Sequence, residues 1–162
     1  MADPIGPPVA RRPEEALELV AQALSDGDLE AALAQYEKGA LLASWPGGDG
    51  SPGAAVTGDT EVGQALARVM ALRLPLSVRV VIVLQSPELA LVVCGRRIAG
   101  TDPDGEPVRL AGHGCAMLRP QPDGSWRIAA DVWHAGPEPS PGPAGIRPAA
   151  RRPGRTQHGP FG

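Results

Sequence analysis

In the first half of the chain the apolar residues recur at helical spacing; in the second half they come in short β-branched runs. Leu17, Val20, Ala21 and Leu24 stand at i, i+3, i+4 and i+7 after Pro13, a residue suited to the first helical position. Gly27 is placed to stop this helix. Asp28 is placed to cap a second one, with the stripe Leu29, Ala32, Leu33 and Tyr36 and with Gly39 at its end. Ala40–Trp45 reads as a short apolar strand. Pro46–Gly58 reads as a Gly-rich loop without a phosphate-loop lysine, so nucleotide binding is not indicated. Asp59 or Thr60 caps a third helix carrying Val62, Leu66, Val69 and Met70. Leu76–Leu84, Leu89–Ala99, Val108–Leu118 and Trp126–His134 then read as strands, with turn sequences between them at Ser86-Pro87-Glu88, Thr101–Gly105 and Pro120–Gly124. Helices followed by a meander predict an α+β domain, helices on one face of an antiparallel sheet.

Composition changes this picture mainly at the two ends. The chain has 162 residues, with 21 Gly and 19 Pro unevenly spread. Residues 135–162 hold seven Pro and six Gly, with Ile146 and Phe161 as their only large apolar residues. Such a segment buries too little to offset its ordering entropy, so a disordered Pro/Gly/Arg-rich tail is expected there. Residues 1–13 read as a flexible lead, and 14–134 as the domain. No apolar run approaches the roughly 18–20 residues of a membrane span, and no signal-peptide pattern follows Arg11 and Arg12. A cytoplasmic protein with no membrane partner is expected, with Cys94 and Cys115 as free, buried thiols. No CxxC or histidine spacing suggests zinc, and no metal or cofactor is indicated. Residues 14–134 carry nine basic against sixteen acidic residues, which argues against nucleic acid as a partner.

Three local patterns carry a resemblance to a known superfamily. They are Ser25-Asp26-Gly27-Asp28-Leu29 ahead of Ala34-Gln35-Tyr36, Gly58-Asp59-Thr60-Glu61-Val62, and Asp123-Gly124-Ser125-Trp126-Arg127-Ile128. In this order and spacing the chain resembles the nuclear transport factor 2-like superfamily, in its SnoaL-like and ketosteroid isomerase-like branch. The resemblance implies a strongly curved, cone-shaped sheet with three N-terminal helices closing a pocket. It also implies a homodimer formed through the open sheet face. The fold hosts enzymes, ligand binders and association modules alike, so function has to be argued from the site.

Asp131 is the leading candidate for chemistry. It lies in an otherwise uncharged strand, where desolvation would raise its pKa and suit it to general-base work. It stands seven residues after Gly124, the spacing at which the epoxide hydrolase-like relatives carry a water-activating aspartate. Their Arg-x-Asp pair is not reproduced, since Ile98 follows Arg96 by two places and Ala99 follows Arg97. Strict alternation along this strand puts Asp131 on the face opposite Trp126, Ile128, Ala130 and Val132. Ser44 and Val20 fall where the isomerase-like relatives carry an aspartate and a tyrosine. His113, between Gly112 and Gly114, is a candidate proton-transfer partner of Asp131, in the manner of the His/Asp pairs of SnoaL-like cyclases. The flanking glycines mark a bulge or a close approach. Tyr36, Ser44, Trp45, Trp133 and Arg97 are candidate substrate-binding residues. Of the adjacent Arg96 and Arg97, one faces opposite to the other.

Two functions fit these residues. One is a cofactor-free cyclase, isomerase or hydrolase, acting by acid–base chemistry on a small, largely apolar metabolite. The other is a non-catalytic ligand-binding or dimerisation module of the same fold. They are distinguished by whether Asp131 and His113 face one cavity.

Overall fold

A computed structural model describes residues 6–43 and 54–136. Ser44, Trp45 and the expected tail from 137 onward lie outside the described residues.

Helix α1 runs from Pro13 to Asp26. The Glu15 carboxylate accepts from the backbone N–H groups of Arg11 and Arg12 at 2.7 and 3.1 Å, satisfying donors the first turn leaves open. Gly27 closes the helix in the left-handed region at φ 78°, where a side chain would be strained. The stripe Leu17, Val20, Ala21 and Leu24 is buried, as its spacing requires.

Helix α2 is shorter than its apolar stripe predicts. It spans only Leu29–Leu33, with the Asp28 carboxylate accepting from the Ala31 N–H at 2.9 Å. Tyr36 is not on this helix but opens strand β1, Tyr36–Ala43. The chain is turned by Gln35, which is buried: its amide donates to the Pro8 carbonyl at 2.7 Å, and its own carbonyl accepts from the Ile128 N–H at 2.8 Å. A helix this short is marginal by itself, and strand pairing takes Tyr36 instead. Strand β1 therefore begins earlier than the sequence suggested. A two-residue strand, β2 (Val56–Thr57), pairs with it antiparallel. Helix α3 covers Asp59–Met70, burying Val62, Ala65, Leu66 and Val69. Its cap position is Gly58; the Asp59 carboxylate instead accepts from the Gly39 N–H at 3.2 Å.

The four long strands are β3 (Leu76–Gln85), β4 (Ala90–Thr101), β5 (Pro107–Pro120) and β6 (Trp126–Ala135). They form the expected antiparallel meander, within a six-stranded sheet ordered β2-β1-β6-β5-β4-β3. The sheet is mixed, because β1 runs parallel to β6. It is curved and does not close, and α1 lies against β3, β4 and β6. One feature of the lead was not foreseen. The Ala10 carbonyl accepts from the Trp126 N–H at 2.9 Å and Arg11 donates to the Asp123 carbonyl at 3.0 Å, so Ala10 and Arg11 are held against the β5–β6 hairpin.

Two bulges interrupt the meander. In β3 the extra residue is Val81, between the pairs Val80↔Cys94 and Ile82↔Val93. In β6 it is Ala129, between Met117↔Ala130 and Leu118↔Ile128. A bulge shifts the alternation by one residue. Trp126 and Ile128 point inward before Ala129; Asp131 and Trp133 point inward after it, and Val132 points out. The simple alternation read from the sequence is thus reversed over the last part of β6.

Cys94 points inward and is fully buried, whereas Cys115 lies on the outer face, so the two thiols cannot bridge. Burial pushes the Cys94 thiol above its usual pKa. Cys94 should therefore be modified only as fast as the protein unfolds, and unfolded, non-reduced protein should titrate with two thiols. Fewer than two would show oxidation that this arrangement forbids.

Candidate functional site

The inward turn of β6 brings Asp131 to the centre of the concave face, where four side chains from three strands meet. Arg96 of β4 donates through Nη2 to Oδ1 and Oδ2 of Asp131 at 2.9 and 3.1 Å. The Tyr36 hydroxyl of β1 donates to Oδ2 at 3.0 Å, and the Trp133 indole Nε1–H of β6 donates to the same oxygen at 2.7 Å. The Arg96 guanidinium also lies over the Trp133 ring, 4.3 Å from its centroid. Asp131 is 1% exposed, Arg96 3%, Tyr36 4% and Trp133 1%. Around them Leu42, Val92, Cys94, Ala116 and Leu118 complete the core.

The electrostatics follow from the burial. An isolated charge here would be prohibitive, and the pair is tolerated because each neutralises the other and Asp131 has further donors. Burial, the largest single influence, pulls the Arg96 guanidinium down, but the Asp131 charge, the neighbouring Cys94 and Tyr36 and the hydrogen bond to Asp131 together outweigh it, and the net pKa lies above the usual value. Burial first, then the Asp131 charge, drives the Tyr36 hydroxyl well above the usual tyrosine value, so it remains a proton donor. Among the described residues one buried side-chain polar atom is left over. Arg96 Nη1 is buried with no hydrogen-bond partner.

Gly114 belongs to this cluster. A Cβ there would stand 2.5 Å from Arg96 Nη1 and 2.9 Å from the Val132 carbonyl oxygen. The close approach that the two glycines signalled is therefore made by strand β6 and the guanidinium, because a Cβ at Gly112 would likewise strike the His134 carbonyl. Gly114→Ala should destabilise the domain by about 1–3 kcal/mol, the usual effect of overfilling a tight core. Chemical denaturation measures it, and an unchanged midpoint would mean that the guanidinium sits elsewhere.

The other sequence candidates are dispersed. His113 lies on the outer face, opposite Asp131, because β5 turns Gly114 and Ala116 inward and His113 outward. Its ring stacks on that of His134, with centroids 4.9 Å apart. Arg97 also points outward and is exposed; its neighbour Arg96 takes the inward position. Arg96 was visible in the sequence only as one of two adjacent arginines. The bulge at Ala129, which decides which carboxylate it meets, carries no sequence signal. Tyr36 and Trp133 join Asp131 as hydrogen-bond donors. Tyr36 also lines a cavity of about 350 Å³ between α2, β1 and α3, with Leu33, Val62, Glu37 and Lys38. Asp131 is not among its lining residues. Among the described residues no cluster of His, Cys, Asp and Glu could hold a metal ion, and no helix is long and apolar enough to cross a membrane.

Solved structures match this arrangement of a bent sheet and N-terminal helices. A ketosteroid isomerase-like protein from Erwinia carotovora atroseptica is 21% identical, with a TM-score of 0.63 over 76% of this chain and 92% of that one. This chain has the nuclear transport factor 2-like fold. A candidate dehydratase of the NTF2-like family from Streptomyces avermitilis is 21% identical, with a TM-score of 0.59 over 76% of this chain and 92% of that one. A candidate calcium/calmodulin-dependent protein kinase type II association domain from Thiobacillus denitrificans is 18% identical, with a TM-score of 0.60 over 80% of this chain and 98% of that one. No protein-family model and no curated protein matches the sequence. Within the NTF2-like fold the neighbours thus include proteins named for enzymes and proteins named for association, and the site itself has to distinguish them.

Proposed function

We propose that this chain is a self-associating NTF2-like domain, in which two copies pair through the outer face of the sheet. The observation that carries this reading is the apolar character of that face. Two neighbouring cross-strand rows run over it. One is Ala43, Val132, Cys115, Val93 and Ile82; the other is Leu41, Ala130, Met117, Leu91 and Leu84. Neither row contains a charge. Leu41 is 52% exposed, Leu84 60%, Ile82 48%, Val132 45% and Met117 38%. Five strands at about 4.8 Å spacing make a surface roughly 20 Å wide. A lone monomer rarely exposes so continuous an apolar patch. A second copy suits it because two uncharged rows can pair with their own copies across a two-fold axis without like-charge contacts. The neighbour named for an association domain supports the same direction. The inner site supports it from the other side. Asp131 is engaged by Arg96, Tyr36 and Trp133, and its expected partner His113 is across the sheet. Light scattering on the purified chain tests the proposal: twice the chain mass at micromolar concentration is expected, and a monomer at all concentrations refutes it.

A second reading has one observation in its favour, the unpartnered Arg96 Nη1. A buried donor without an acceptor is a place for a ligand oxygen or a water. In that reading the cone takes a small, largely apolar metabolite and Asp131 accepts its proton without a cofactor. Asp131→Asn, assayed where it remains folded, should then lower turnover by roughly 100-fold. Unchanged turnover would exclude Asp131 as the base.

A further inference from the structure

We infer that the outer face of the sheet carries a binding site for a small phosphate-type dianion, formed by Arg97 and Arg109. The two arginines line a cavity of about 360 Å³ together with Leu110 and Ala111. Their placement follows from register. Arg97 of β4 is opposite Ala111, and Arg109 of β5 is opposite Ala99, so two arginines and two alanines alternate on one patch of the outer face. The alanines are too short to fill the space between the long side chains, and a hollow with a basic wall results.

Among the described residues neither guanidinium has a hydrogen-bond or ion-pair partner. The nearest acidic segment does not supply one. The Asp102 carboxylate is used inside its own turn, accepting from the N–H groups of Asp104 and Glu106 at 3.0 and 2.8 Å. Like charges held side by side on a sheet oppose one another. An anion with several oxygens resolves this arrangement, because each planar guanidinium can offer two parallel N–H donors to a phosphate. The volume admits a phosphate group.

The site is separate from the Asp131 cluster, which lies on the opposite face, and it does not depend on the pairing proposed above. Titration of the ¹⁵N-labelled chain with inorganic phosphate, at ionic strength held constant with sodium chloride, should give saturable shifts around Arg97, Arg109 and Ala111. Arg97→Ala and Arg109→Ala should each weaken binding by about tenfold or more, the effect of losing one charge-assisted contact. Arg97→Lys should recover only part of it, since an ammonium group has no planar fork. Both arginines are exposed, so the variants should keep the circular dichroism and the oligomeric mass of the wild type. Shifts that fail to saturate, or binding that survives both alanine variants, would overturn the site. A change of mass without loss of phosphate binding would assign these arginines to association instead.

Discussion

Asp131→Asn should lower the stability of the domain by roughly 3–5 kcal/mol, or about 10–20 °C in melting temperature. The substitution keeps the shape and an acceptor oxygen, so Tyr36 and Trp133 retain a partner. It removes the charge that pairs with Arg96, and Arg96 is 3% exposed with no other carboxylate in contact among the described residues. An uncompensated guanidinium is left in the core beside the Trp133 ring, with Nη1 already unpartnered. The double variant Arg96→Met, Asp131→Asn removes both charges and fills the space of the arginine stem. It should recover about half of the loss or more, giving a clear coupling in a double-mutant cycle. Urea denaturation of the four proteins measures this. An Asp131→Asn single variant as stable as the wild type would show that the pair does not hold the centre of the fold.

Val132→Arg should separate the proposed dimer without unfolding the monomer. Val132 is 45% exposed and lies inside one of the two apolar rows, between Ala43 and Cys115. It points away from the core that Asp131 and Trp133 enter, so the longer side chain meets solvent in the monomer. In a pairing of two copies the same arginine is desolvated against an uncharged face with no acceptor. Loss of affinity by about 100-fold or more is expected for a charge placed at the centre of such an interface. Light scattering should then give the monomer mass, with the circular dichroism unchanged. Cys115 supplies a second readout, since it shares the row: its thiol should label slowly in the wild type and faster in Val132→Arg. A variant that keeps the dimer mass would place the contact elsewhere on the molecule.

The same residues show which parts of this protein could be read without a structure. Helix α1 and helix α3 were legible because their buried faces are written at a spacing of three and four residues, and Pro13 and Gly27 mark the ends of α1. The meander β3–β6 was legible from β-branched runs and from turn chemistry at Pro87, Asp104-Gly105 and Asp123-Gly124. The family resemblance rests on such joints, and the fold it implied is the one found. Asp131 stood out because it is the one carboxylate in an apolar strand.

What the sequence could not settle depends on contacts between residues far apart in the chain. Tyr36 has the spacing of a helix residue, yet pairing with Ile128 of β6 draws it into a strand. Arg96 and Arg97 are the same residue type side by side, and only the pleat of β4 decides that Arg96 turns inward to meet Asp131. The pleat of β5 in the same way sends His113 outward, to stack on His134 rather than reach the carboxylate. Above all, one extra residue at Ala129 reverses the alternation of β6. This bulge is a mismatch between β5 and β6, and no glycine or proline stands at Ala129 to mark it. The sequence by itself determined the elements, their order and the presence of a charged residue among apolar ones. The tertiary structure decided which face each side chain occupies, and thereby made Asp131 the neutralised centre of the core.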